Sequence, residues 1–212
     1  MKQSKSNCAW IGQLQTILLA LAAASSCALQ SRAGTDNALF NIKAEDVIAS
    51  VHMDNVHFNT AAQTASKFHA ERERLGADLL NTFNNQKSSR ANQCIAAYYL
   101  GEMRYSSAAD SLAVDIKVNL GDSDILIQGL PVILAYPARD ALVKIGAASI
   151  PAVIRNLTES DDALVRALSF DVLTHVDGDK DIAGLRLQKA LNAEKDSHKQ
   201  ARIQLALKEL KK

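Results

Sequence analysis

Ala141-Leu142-Val143-Lys144-Ile145-Gly146-Ala147-Ala148-Ser149-Ile150-Pro151-Ala152-Val153-Ile154 decides the fold class, together with Asp161-Asp162-Ala163-Leu164-Val165-Arg166-Ala167-Leu168 a few residues later. Apolar residues recur three and four apart up to Gly146, the spacing of one helix face. Glycine suits the end of such a run because it adopts the left-handed backbone that closes a helix. Pro151 then opens a second helix, where its missing N–H has no bond to lose. Asp161 or Asp162 can accept the free amides that begin a third. The unit reads helix, small turn, helix.

The same rhythm extends in both directions. Upstream, Ala61, Ala65, Phe68, Leu75, Leu79 and Phe83 form an apolar stripe, and a second helix is expected over Arg90–Met103. Ala108 to Val118 carries Leu112, Ile116 and Val118 at helical spacing. Residues 119–135, with Gly121, Gly129, Pro131 and the β-branched run Ile125-Leu126-Ile127, read as an insertion. Downstream, helices are expected over about Asp162–His175, Asp181–Ala193 and Ser197–Leu210, with a turn at Asp177-Gly178-Asp179. Segments starting at 90, 135, 166 and 202 superpose, and the insertion lengthens the first interval.

On these residues, residues 90–212 resemble the short bacterial HEAT-like repeats found in phycobilin lyases. The "Ile-Gly … Ile-Pro-Ala-Val-Ile" turn and the "Asp-Asp … Val-Arg" entry carry the likeness. The resemblance implies an all-α fold, an α-solenoid of antiparallel helix pairs in an armadillo-like superhelix. It implies no reaction. Physics makes the same architecture reasonable: one helix pair cannot bury its apolar stripe, so it leans on the next. Ala96, Ala97, Ala141 and Ala167 are expected to let helices approach closely, and only 5% of the chain is aromatic.

The first residues carry an address. Lys2 and Lys5 precede the apolar run Ile17–Ala24, and small residues Ser25-Ser26-Cys27-Ala28 follow. That order is the pattern of a secretory signal peptide over residues 1–28. Eight apolar residues fall well short of the roughly 20 a membrane-spanning helix needs. Ala24-Ser25-Ser26-Cys27 also resembles a bacterial lipoprotein box, with Ala24 where Leu is usual. Cys27 is therefore the lipidation candidate, and cleavage near Ala28 without lipid is the other reading. Residues 29–43 read as a flexible tether, and 44–89 as an N-terminal helical segment with a degenerate repeat near Leu75-Gly76. The expected location is exported, either periplasmic or secreted, or anchored at the membrane through Cys27.

Charge and motifs exclude more than they assign. Lys+Arg 24 against Asp+Glu 23 gives +1, so no global field draws the chain to nucleic acid or an anionic membrane. No Gly-x-Ser-x-Gly elbow, phosphate loop or dinucleotide fingerprint occurs, and the five histidines show no metal-ligand spacing. Asp177-Gly178-Asp179-Lys180-Asp181 alternates carboxylates, but a calcium loop needs Glu at its twelfth position and Gln188 stands there. Cys94 reads as a small core residue, and Tyr98, Tyr99 and Tyr105 as core rings or groove contacts. Glu71-Arg72-Glu73-Arg74 reads as a solvated face.

The functional expectation is a non-catalytic, exported interaction or scaffolding module that binds another protein through a helical-repeat surface. It uses no cofactor, metal or nucleic acid. The alternative is a lyase- or chaperone-like enzyme acting in the solenoid groove. The second helices, about 107–118, 150–158 and 180–192, are expected to line the inner curve. Their apolar positions Leu112, Ile154 and Leu187 should then face the core. Asp110, Asp115, Arg155, Arg186 and Lys189 should face the partner, with a charge gradient along the groove.

Overall fold

Caps and turns set the helix ends, and the computed structural model describes them over residues 43–52, 69–120 and 135–211. The chain divides into two units, Met1–Asn41 and Ile42–Lys212, and every described residue belongs to the second. The expected signal segment, Cys27, nearly all of the tether, Ala61, Ala65, Phe68 and most of the insertion lie outside the described residues.

The described elements are α1 (Ala44–His52), α2 (His69–Asn84), α3 (Arg90–Glu102), α4 (Ala109–Val114) and α5 (Pro137–Ile145), followed by α6 (Ile150–Glu159), α7 (Ala163–His175), α8 (Lys180–Ala193) and α9 (Ser197–Leu210). Short 3-10 turns at Ser106–Ala108 and Gly146–Ser149 lead into α4 and α6. Among the described residues all regular structure is helical, so the fold class is all-α.

Local chemistry explains the boundaries. Ser89 accepts the Asn92 amide to start α3, and Asp162 accepts from Leu164 and Val165 to start α7. Asp179 and Asp196 do the same for α8 and α9. Each such cap is worth about 1 kcal/mol. Gly146 ends α5 with φ of 80°, and Gly178 turns the chain between α7 and α8 with φ of 65°, both unfavourable for any side chain.

Packing joins helices that are far apart in sequence. α2 packs on α3, α3 on α5, α5 on α7, and α4 on both α5 and α6. α6 packs on α7 and α9, and α8 on α9. Leu75, Leu79, Leu100, Leu112, Leu142 and Leu173 are fully buried along this succession. The α3–α5 crossing is close because Gly101 has no side chain: a Cβ there would lie 2.6 Å from the Cα of Ala141. A Cβ on Gly76 would lie 2.5 Å from the Tyr105 ring, so α2 admits Tyr105 into the core in the same way.

Several expectations change. The helix expected over 107–118 is only α4, because Asp115 leaves helical backbone (φ −104°, ψ 35°). Ile116 and Val118 are nevertheless buried, carried inward by the turns that follow. Ala96, Ala97 and Ala141 are buried as expected, but Ala167 is exposed and borders a groove. α8 does not continue the row of α4 and α6 as a principal neighbour; α9 packs on α6 instead. Leu112 and Leu187 are buried, and Ile154 is half-buried against the core.

Ser169 is a misfit inside α7. It is fully buried and its hydroxyl has no hydrogen-bond partner among the described residues. An unsatisfied buried hydroxyl costs about 1–3 kcal/mol. Ser169→Ala is therefore expected to raise stability by about 1 kcal/mol in urea denaturation. A loss of stability would show that the hydroxyl is bonded.

Candidate functional site

α4 and α6 meet through side chains that satisfy backbone as well as charge. The carbonyls at the end of a helix lack partners within it. Asn156 on α6 supplies one, donating its amide to the Ala113 carbonyl at 2.7 Å. One residue earlier, the Arg155 guanidinium donates to the Asp110 carboxylate at 2.5 Å. Both partners are substantially exposed, Asp110 at 78%, so their charges stand on the surface. Asp115 is exposed at the C-terminal end of α4, where a carboxylate opposes the helix dipole.

Two of the five expected contact residues are thus brought together, but as partners of each other. Arg186 lies on α8, where Nε and Nη2 hold the two oxygens of Asp177 at 2.9 and 3.1 Å. That fork fixes the α7–α8 turn to α8. Lys189 is exposed further along the same helix. The expected charge gradient is weakened accordingly, because Asp110 and Arg155 neutralise one another, as do Arg186 and Asp177.

Ion pairs of the same kind occur between other elements. Lys117 meets Asp162 at 2.6 Å, Glu159 meets Lys199 at 2.5 Å, and Asp161 meets Arg202 at 2.6 Å. Lys144 on α5 pairs with Glu102 on α3, and Arg139 on α5 with Asp171 on α7. The lysine and arginine partners hold the carboxyls of Glu159, Asp161 and Asp162 below their usual range, with the α7 amides contributing at Asp162. Lowered carboxylate pKa values stabilise the fold above the ordinary carboxylate range, and that contribution is lost as pH falls below that range through the lowered values. All are exposed enough that each contributes little.

The remaining candidates differ in burial and in partners. Burial pushes the Cys94 thiol up to about 11, with Arg90 pulling weakly the other way. The thiol therefore stays protonated where a nucleophile would need to ionise. Iodoacetamide is expected to label Cys94 slowly in native protein at neutral pH and quickly after unfolding; fast native labelling would contradict its burial. Burial first, and then Glu102, push the Tyr98 phenol up to about 12. Lys144 stands 4.8 Å over the Tyr98 ring, so this half-buried tyrosine is held between core and surface. Of the carboxylate run, Asp179 is occupied as the α8 cap and Asp177 by Arg186. Among the described residues no group of three metal-ligating side chains occurs, and His175 and His198 are exposed. The Glu71–Arg74 face is more than solvated, since Arg74 pairs with Glu71 and Arg72 donates to the Arg104 carbonyl at 2.8 Å.

One feature has no counterpart in the sequence reading. α7 and α9 border an apolar groove of about 330 Å³, floored by Leu157 of α6. No single segment announces it, because its walls come from three helices. No protein-family model matches this chain, and neither do curated proteins or solved structures.

Proposed function

We propose that the chain is an exported, HEAT-like interaction module that binds another protein through one face of its stacked helix pairs. The observation carrying this reading is the α4–α6 face, where Asp110, Asp115 and Arg155 are exposed above a core that α4 and α6 share. Packing holds the helices, so these charges keep a fixed spacing. A partner that matched the spacing would be oriented by it, and its arrival would be accelerated more than its affinity raised. Asp115 supports the reading because a carboxylate at a helix C-terminus works against stability. Repeat surfaces recognise partners by extended shape, which requires no compact motif. Export rests on the ordering of Lys2, Lys5, the apolar run Ile17–Ala24 and the small residues before Cys27.

The test is capture from an envelope fraction at low salt. Wild-type chain should retain a defined protein, and Arg155→Glu should lose it while circular dichroism stays unchanged. Undiminished capture would move the binding site off these helices. Mass spectrometry of the same preparation should find the mature chain starting at or just after Cys27. An acyl mass on Cys27 would select the lipoprotein, and an intact Met1 start would overturn export.

A further inference from the structure

We propose that two copies of this chain associate through α8, the two helices crossing antiparallel at Leu185 about a two-fold axis. Ala183 and Leu187 of α8 are fully buried, so the opposite side of the helix points away from the chain's own core. Leu185 stands at the middle of that side, 71% exposed, with Ile182 39% exposed beside it. Both are large apolar side chains left to water, and a second surface gains by covering them. Asp181 lies four residues before Leu185 and Lys189 four residues after, so each is about 6 Å from it along the axis. Both are exposed, and no ion pair or side-chain hydrogen bond holds either one among the described residues. The other charges nearby are engaged or turned away. Asp177 is held by Arg186, Asp179 caps α8, and Glu194, past the end of α8, accepts the Lys195 and Asp196 amides. Lys180 leaves the helix about 100° round from Asp181, off this side.

The order acid, leucine, base is its own complement, and that names the occupant. Turning one copy of α8 end over end about an axis through Leu185 sets this leucine against Leu185 of the second copy. The same turn brings Asp181 level with Lys189 of the second copy, and Lys189 level with its Asp181. Ile182 falls beside that second lysine, whose alkyl stem covers it while the ammonium reaches the adjacent Asp181. A parallel arrangement would instead oppose Asp181 to Asp181 and Lys189 to Lys189, which like charges disfavour. One patch serves both sides of the contact, so the assembly closes at two copies. A single helix face offers less than the roughly 800 Å² a side of a stable interface, so the dimer is weak and forms at high concentration.

Sedimentation equilibrium of the full-length chain, at concentrations up to about 1 mM, tests this. Wild type should move from monomer toward dimer mass and go no further. Leu185→Glu, at an exposed position that folding does not need, should weaken association by about tenfold or more. Asp181→Lys and Lys189→Glu should each weaken it alone, because each sets like charges level with one another in its own homodimer. Mixed together, the two single variants should associate, since opposite charges then meet at both ends of the contact. A chain that had merely lost its fold could not be rescued in this way. Four results would overturn the proposal: a wild type that stays monomeric throughout, assemblies that grow beyond two copies, a Leu185→Glu chain that associates like wild type, or a mixture of the two charge variants that stays as weak as either alone.

Discussion

Gly101→Val should cost about 3 kcal/mol of stability, more than any surface substitution in the chain. A Cβ at Gly101 meets Ala141 at 2.6 Å from its Cα and 2.9 Å from its Cβ. Contacts so short force something to move, and the nearer atom is backbone, which cannot swing aside as a long side chain would. Valine adds two methyl groups to that clash, so α3 and α5 must separate and loosen the buried residues around Leu100 and Leu142. Gly101→Ala is the milder probe. Its better helix propensity returns about 1 kcal/mol, so its net cost should be smaller than that of valine. Urea denaturation measures both, and a Gly101→Val protein as stable as wild type would mean that the crossing is not close.

Leu142→Ala should cost a similar amount, about 3 kcal/mol, by the opposite fault. Leu142 is fully buried on α5, the helix that packs on α3, α4 and α7. Removing its isobutyl group leaves a cavity at the point where successive helices meet, and helices on three sides cannot all collapse into it. Leu205→Ala provides the contrast, since that side chain is mostly exposed and its loss should move the denaturation midpoint little. If the two substitutions had equal effects, α5 would not lie at the centre of the packing.

Local chemistry made much of this fold legible in the sequence. Gly146 ends α5, Asp162 caps α7, and Asp177-Gly178-Asp179 turns the chain, each because a few neighbouring residues determine it. Cys94 was legible for the same reason, since its apolar helical neighbours placed it inside. What could not be read depends on which distant helix faces which. Gly101 looks like an ordinary helix glycine until Ala141 is found against it. The stripe Leu112, Ile116 and Val118 was correctly apolar, yet its period did not reveal that helix gives way to turns at Asp115. Likewise Asp110 and Arg155 were recognisable as surface charges, while their pairing required α4 and α6 to be set side by side. The groove needed α9 to pack on α6 as well, which no spacing within α9 implies.

The Asp110–Arg155 pair separates a structural role from a binding one most directly. Asp110→Arg and Arg155→Asp should each lower stability by no more than about 1 kcal/mol, as expected of an exposed pair, and each should lose partner capture. Combining them rebuilds an ion pair in the reverse direction and inverts the charges shown to a partner. The decisive measurement is capture by this doubly exchanged chain, with its denaturation midpoint determined alongside. If the face binds a partner by its charge pattern, the midpoint returns to wild type and capture stays lost. If capture returns with the midpoint, the pair only joins α4 to α6, and the partner surface lies elsewhere.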